Sequence, residues 1–274
     1  MFKVASFGLV ALSLMAQQAA APPAAAQADH RLGYDTTPYY PGSKWRVHDA
    51  SRPRPGAISP STCNAASVKA PSDAEVLFDG HSMAKFVSMK NGVAGDPGWK
   101  LGDGYMEVIP GKGDIYTKEA FGDMQLHIEW ASPAEVKGDS QNRGNSGLKI
   151  SGVYEIQILD SFDNMTYADG QAGAIYGQAP PLVNASCKPG EWQAYDIIFD
   201  SPKFAGDAVV KPAYVTVIHN GIVVQNHEQI LGTTLNANVG KYTAHPDKPF
   251  MLQNHNTPVR YRSLWVRRLQ PRAE

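Results

Sequence analysis

The chain has 274 residues, 43% of them hydrophobic, with 25 Gly and 20 Pro. That length and composition suit one large β domain, or two small ones, built from short strands and turns, and they argue against a helical bundle. The formal charge of -1 excludes a basic stripe for nucleic acid and an acidic tail, while an uncharged ligand held by hydrogen bonds and ring stacking, such as a sugar, fits it.

The first 28 residues read as a secretory signal. Lys3 supplies one positive charge, Phe7 to Ala16 is an apolar run, and Ala26-Gln27-Ala28 fits a small-residue cleavage site. The run is short for a bilayer span; an uncleaved anchor is the alternative. Cleavage would leave a net charge of about -2, since Lys3 is the only charge removed. Nothing later approaches membrane length, so the mature chain is expected to be soluble and secreted, periplasmic or extracellular. Residues 29–71 form a Pro/Gly-rich arm with Pro38, Pro41, Pro53, Pro55, Pro60 and Pro71 and no sustained period. Its aromatics, Tyr34, Tyr39, Tyr40 and Trp45, want a surface to lie on, so the arm is expected to wrap the domain that follows. Export would place Cys63 and Cys187 in an oxidising compartment. They can form one disulfide or remain two unrelated thiols; spacing does not decide.

Residues 72–271 read as a single β-sandwich domain. Glu75 to Phe78 enters a strand that meets Asp79-Gly80, and Tyr105 to Ile109 is bracketed by turns. In Met124 to Trp130 the apolar residues Met124, Leu126, Ile128 and Trp130 alternate with Gln125, His127 and Glu129, which is a strand with one core face. Tyr154 to Leu159 and Trp192 to Phe199 are further strands. Tyr214 to Ile218 and Ile222 to Gln225 flank His219-Asn220-Gly221, a strong hairpin signal. Val259 to Leu269 closes the domain. The whole implies an all-β, two-sheet antiparallel sandwich of jelly-roll type.

The most informative segment is Tyr154-Glu155-Ile156-Gln157-Ile158-Leu159-Asp160. In a regular strand Tyr154, Ile156 and Ile158 face the core, and Glu155 and Gln157 face out. Asp160 joins them only if a bulge adds a residue. Such a face suits gripping or cleaving a sugar; a solvated strand face explains it equally well. Arg143 and Asn145, in the turn before it, offer donors. Tyr176, Gln253 and His255 come later, His255 as a group that exchanges protons near neutral pH. Arg260 and Arg262 share a face and can bind sugar hydroxyls or pair with Glu155. The histidines show no zinc spacing, and there is no phosphate loop or nucleophile elbow; neither metal nor cofactor is expected.

Taken in order, several segments resemble the 3-keto-disaccharide hydrolase family. They are Val76 to Gly80, Gly122 to Trp130, Gly144 to Gly147, Tyr154 to Asp160, Gly173 to Gly177, Gly190 to Trp192, His219 to Gly221, Leu252 to His255 and Arg260 to Trp265. They span about residues 75–269. Parts of the arm, Gly33-Tyr34 and Pro41 to Trp45, resemble a secreted subgroup. Lys149, Asn256 and Ser263 depart from the residues common in the family. The resemblance implies a concanavalin A-like jelly roll acting on an oxidised glycoside, whose carbon 3 carries a ketone. That ketone acidifies the hydrogen at carbon 2, so elimination followed by hydration can break the glycosidic bond with one base, one acid and a donor for the enolate oxygen.

On this reading Glu155, His255 and Asp160 are the catalytic candidates. Glu129, Arg143, Asn145, Gln157, Tyr176, Gln253, Arg260 and Arg262 would position the sugar. Glu155-x-Gln157-x-x-Asp160 is similar to the Glu-x-Asp-x-x-Glu strand of family 16 glycosidases, with an amide in place of the middle acid; this weighs against the two-carboxylate mechanism. A non-catalytic carbohydrate-binding module and a conventional family 16-type glycosidase remain the alternatives, since this fold serves both.

Overall fold

The computed structural model describes residue 1 and residues 32–270. The expected signal segment and its cleavage site lie outside the described residues. The chain first builds β1 (Glu75–Phe78), β2 (Phe86–Lys90), β3 (Val93–Gly95), β4 (Lys100–Leu101), β5 (Met106–Glu107) and β6 (Ile115–Thr117). It continues with β7 (Met124–Ala131), β8 (Ser146–Ile150), β9 (Tyr154–Ile158), β10 (Gln193–Asp200) and β11 (Lys203–Ala205). The last are β12 (Ala208–Lys211), β13 (Tyr214–His219), β14 (Ile222–Gln229), β15 (Met251–Leu252) and β16 (Arg260–Arg268). Two single-turn 3-10 helices, Ser140–Asn142 and Ala168–Gly170, interrupt the connections.

Among the described residues these strands form a six-stranded sheet in the order β3-β2-β6-β15-β8-β9, an eight-stranded sheet in the order β14-β13-β10-β7-β16-β5-β4 with β1 also on β16, and a separate β11-β12 hairpin. The jelly-roll sandwich follows from the alternation in the strands. Leu126, Ile128 and Trp130 of β7 and Tyr195, Ile197 and Phe199 of β10 enter the core from one sheet; Leu148, Ile150, Tyr154, Ile156 and Ile158 enter from the other. Each large side chain removed from water there contributes roughly 1.5–3 kcal/mol. Asn220 and Gly221 turn β13 into β14 with φ of 52° and 80°, the left-handed pair that matches the twist of a two-residue hairpin.

The arm is docked, and Cys63 is disulfide-bonded to Cys187 across 124 residues of sequence. Its anchors are not chiefly its aromatics. Tyr40 is buried, but Tyr39 is exposed and Tyr34 and Trp45 are only half-buried. Val47 and His48 are instead wholly buried. Their backbone is held by Val47 N–H donating to Pro38 O and Tyr34 N–H donating to His48 O. Further along, Ala57 bridges Asn184, and residues 65–68 lie over the outer face of the eight-stranded sheet.

Candidate functional site

Three strands of the smaller sheet assemble the site through their register. The turn Ser151-Gly152-Val153 fixes the β8–β9 hairpin so that Lys149 stands opposite Glu155 and Gly147 opposite Gln157. On the other side of β8, β15 places Met251 opposite Lys149, and Gln253 N–H donates to Gly147 O one step beyond. Period two then puts Gly147, Lys149, Glu155, Gln157 and Gln253 on the face away from the core. Gly147 leaves room for the acid: a Cβ there would lie 2.5 Å from Glu155 Oε1 and 3.3 Å from Gln253 Oε1 and would displace the Glu155 carboxylate.

The open edge of β9 is covered by residues 173–176. Gln157 N–H donates to Ala174 O, and Tyr176 N–H donates to Glu155 O. This pairing carries Tyr176 into the same cavity, of about 200 Å³, together with Asn145, Thr234, Asn236 and His255. Thr234 Oγ1 accepts from Glu155 N–H at 3.1 Å. His255 is exposed at the rim.

Glu155 is 5% exposed, and among the described residues its ionic partner is Lys149, Nζ to Oε2 at 3.4 Å. Burial pushes its carboxyl above the usual carboxylate range, against the opposing pull of Lys149 and the more distant His48. Behind Tyr176 lies a layer supplied by the arm. Tyr176 and Tyr167 share a hydroxyl–hydroxyl hydrogen bond of 2.9 Å, and the His48 ring packs 4.0 Å from Tyr167 and 4.8 Å from Tyr176. His48 is held by Asp169, through its backbone N–H at 2.9 Å and Nδ1 at 3.0 Å.

Other expected site residues are placed elsewhere. Asp160 does not share the Glu155 cavity. Without a bulge, β9 ends at Ile158, and Asp160 pairs with Arg143 at 2.7 Å beside a separate depression. Glu129, Arg260 and Arg262 sit on the outer face of the eight-stranded sheet. Arg262 pairs with Glu129 at 2.5 Å and not with Glu155, because β16 and β7 are neighbours with Arg262 opposite Glu129. Arg260 lies over the rings of Tyr105 and Trp192.

Glu129 belongs to a closed network. It accepts from the arm's Val68 N–H at 2.7 Å and meets His127 Nε2 at 3.4 Å, while His127 Nδ1 meets Asp196 at 2.7 Å. Burial disfavours protonated His127, but Asp196 and Glu129 outweigh it and push the imidazole up to about 9. Burial likewise opposes ionised Glu129, yet His127, Val68 and Arg262 hold its carboxyl below the usual range.

Sequence reasoning missed Lys149, Thr234, Asn236 and His48. For Lys149 a signal existed, since a three-residue turn between two apolar-alternating strands sets it opposite Glu155. For the other three, the contacts join segments far apart in the chain. Among the described residues the close grouping of His, Cys, Asp and Glu ligand atoms is Cys63, Cys187 and Glu191, whose sulfurs are bonded to each other.

Comparison with known proteins bears on the family and the fold. The 3-keto-alpha-glucoside-1,2-lyase-like domain matches residues 73–267. A Parabacteroides distasonis structure provisionally designated a glycosyl hydrolase is 43% identical, covering 80% of this chain and 93% of its own, with a TM-score of 0.72. A second from the same organism, with the same designation, is 17% identical over 76% of this chain and all of its own, with a TM-score of 0.55; at that identity it speaks for the fold alone. Among curated proteins none matches. The chain is a glycosyl hydrolase-like jelly-roll protein, and it belongs to the family of the 3-keto-alpha-glucoside-1,2-lyase-like domain.

Proposed function

We propose that the protein is an exported enzyme that cleaves 3-keto-glycosides by elimination followed by hydration. The observation that carries this reading is that, among the described residues, Glu155 is the one carboxylate lining its cavity. Conventional glycosidases need two carboxyl groups flanking one bond, and Asp160 is committed to Arg143 elsewhere. One base is enough when a ketone at carbon 3 makes the hydrogen at carbon 2 acidic. The raised affinity of Glu155 for a proton suits a general base working near neutral pH.

Glu155 removes the carbon 2 proton, and the electron pair becomes the enolate of the carbon 3 ketone. Lys149, at the same position on the facing strand, supplies positive charge for that oxygen. The enolate collapses to a carbon 1–carbon 2 double bond as the bond from carbon 1 to the aglycone oxygen breaks. His255 at the rim gives that oxygen its proton. Water then adds across the double bond, its hydroxyl to carbon 1 and a proton to carbon 2, releasing the free 3-keto sugar. The Cys63–Cys187 disulfide supports export to an oxidising compartment.

The test is turnover of a 3-keto-glycoside beside its parent with an intact 3-hydroxyl, in deuterated water. Cleavage of the keto form alone, with deuterium at carbon 2 of the product, is expected. Equal rates on both substrates would favour a conventional glycosidase, and binding without turnover of either would favour a binding module.

A further inference from the structure

The cavity beside Glu155 has a directional hydrogen-bond pattern, and its origin lies one layer back. Gln141, at the 3-10 turn Ser140–Asn142, donates from Nε2 to Gly170 O at 2.9 Å and to Thr166 Oγ1 at 2.8 Å. A backbone carbonyl only accepts, so the Gln141 amide has one orientation, with Oε1 turned the other way. That oxygen receives Gln157 Nε2 at 2.9 Å. Gln157 is thereby oriented too. One N–H of its amide is committed to Gln141, and its Oε1 is a buried acceptor without a partner on a side chain 1% exposed that lines the cavity. Asn145 follows the same rule: its Nδ2 donates to the backbone O of Gln141 at 2.7 Å, which leaves Oδ1 as the outward atom. Gln253 Oε1 is a further buried acceptor without a partner on this wall.

A buried acceptor without a donor is costly, so a pocket presenting several is shaped for a ligand that brings donors. We propose that Gln141, which is not part of the cavity wall, sets the polarity of the Glu155 pocket by fixing the flip of Gln157 and Asn145, and that the pocket thereby selects a neutral sugar ring offering hydroxyl donors over a uronate. A uronate carboxylate only accepts, and it would face Gln157 Oε1 and the Glu155 carboxylate. The charge of Lys149 is already countered by Glu155 at 3.4 Å. Gly170 leaves room for both neighbours: a Cβ there would lie 2.2 Å from the Tyr167 ring and 2.8 Å from Gln141 Nε2. Gln141 is on this account a positioning residue that acts through Gln157. The inference rests on the Glu155 cavity being a glycoside site.

The experiment is an NMR titration of the full chain with methyl glucoside and methyl glucuronide. Both carry an intact 3-hydroxyl, so binding is read without the proposed turnover. The wild type is expected to prefer the glucoside by about tenfold or more. In Gln141→Leu the released Gln157 amide can turn its NH2 to the ligand, and the preference should shrink to about threefold or less. An equal preference in wild type and Gln141→Leu overturns the proposal, as does a wild type that binds the two probes equally or binds neither. A fold-independent reading comes from the wild type alone. The Gln157 side-chain amide protons should exchange slowly and show contacts to Gln141; amide protons that contact the bound glucoside instead would overturn the assignment. Lack of turnover of 3-keto-glycosides would sink the proposed reaction and leave these binding ratios readable.

Discussion

Glu155 and Glu129 are both carboxylates on strand faces turned away from the core, both nearly buried, and both beside a cation, yet their surroundings differ in one respect. Glu129 has an arginine, a backbone N–H and a histidine around its two oxygens, and its carboxyl is held below the usual range. Glu155 has a lysine at 3.4 Å, and burial dominates, so its carboxyl is pushed up. A carboxylate whose partners are complete is held in its charged form and fastens structure together. One whose partners are incomplete holds a proton more readily and can exchange it with a ligand. The difference separates a structural from a chemical role where burial alone does not.

The largest effect that would test this contrast is on turnover. Glu155→Gln should reduce kcat by about 100-fold to 10,000-fold while leaving the thermal midpoint unchanged or raised, because a poorly compensated buried charge is removed. A collapse of stability with activity intact per folded molecule would invert the comparison. The counterpart, Glu129→Gln, should leave the Arg262 and His127 cations without their shared counter-charge and cost about 3 kcal/mol of stability. Urea unfolding reads that loss, and kcat of the folded fraction should persist.

Lys149→Met should have an intermediate effect, with kcat/KM down by about tenfold. The informative part is its pH profile. Glu155 must be ionised to act as a base, so activity falls as pH drops through its pKa; Lys149 pulls that pKa down, and removing it should move the acid limb to higher pH. An unmoved limb would mean that another group controls it.

The smallest effect concerns the pH dependence of stability. The folded-state pKa of His127 is raised from 6.5 to about 9, so its stabilising contribution is fully present below pH 6.5 and is lost as pH rises through about 9. Glu129 is lowered from 4.5, so its contribution is present above pH 4.5 and is lost as pH falls through the lower folded value. Asp196 and Glu129 face the imidazole ring directly, Trp265 stacks on it, and Arg262 reaches Glu129. The thermal midpoint should therefore decline between pH 6.5 and 9 in the wild type, and decline less in His127→Gln.

Much of the fold was legible because strands carry a local code. The alternation in Met124 to Trp130 and in Tyr154 to Ile158 gave the core faces, and Asn220-Gly221 gave its hairpin. The polarity of those faces was read correctly, but not what covers them. The non-core face of β7 faces the arm rather than solvent, so Glu129 and Arg262, taken for sugar ligands, are a buried fastening. Asp160 was tied to Glu155 by its place in the segment, whereas the strand stops before reaching it. The role of Gln141 was not legible, because it depends on a carbonyl 29 residues away in sequence, and no local period reports such a contact.

The docked arm has a consequence for where the molecule can be cut. The family model begins at residue 73, and an expression boundary drawn there would look natural. It would leave Cys187 a bare thiol, Asp169 a buried carboxylate without His48, and Glu129 without the amide of Val68. The stretch that the family model delimits is shorter than the stretch that must fold together, and a truncation chosen by the first criterion would sever the second.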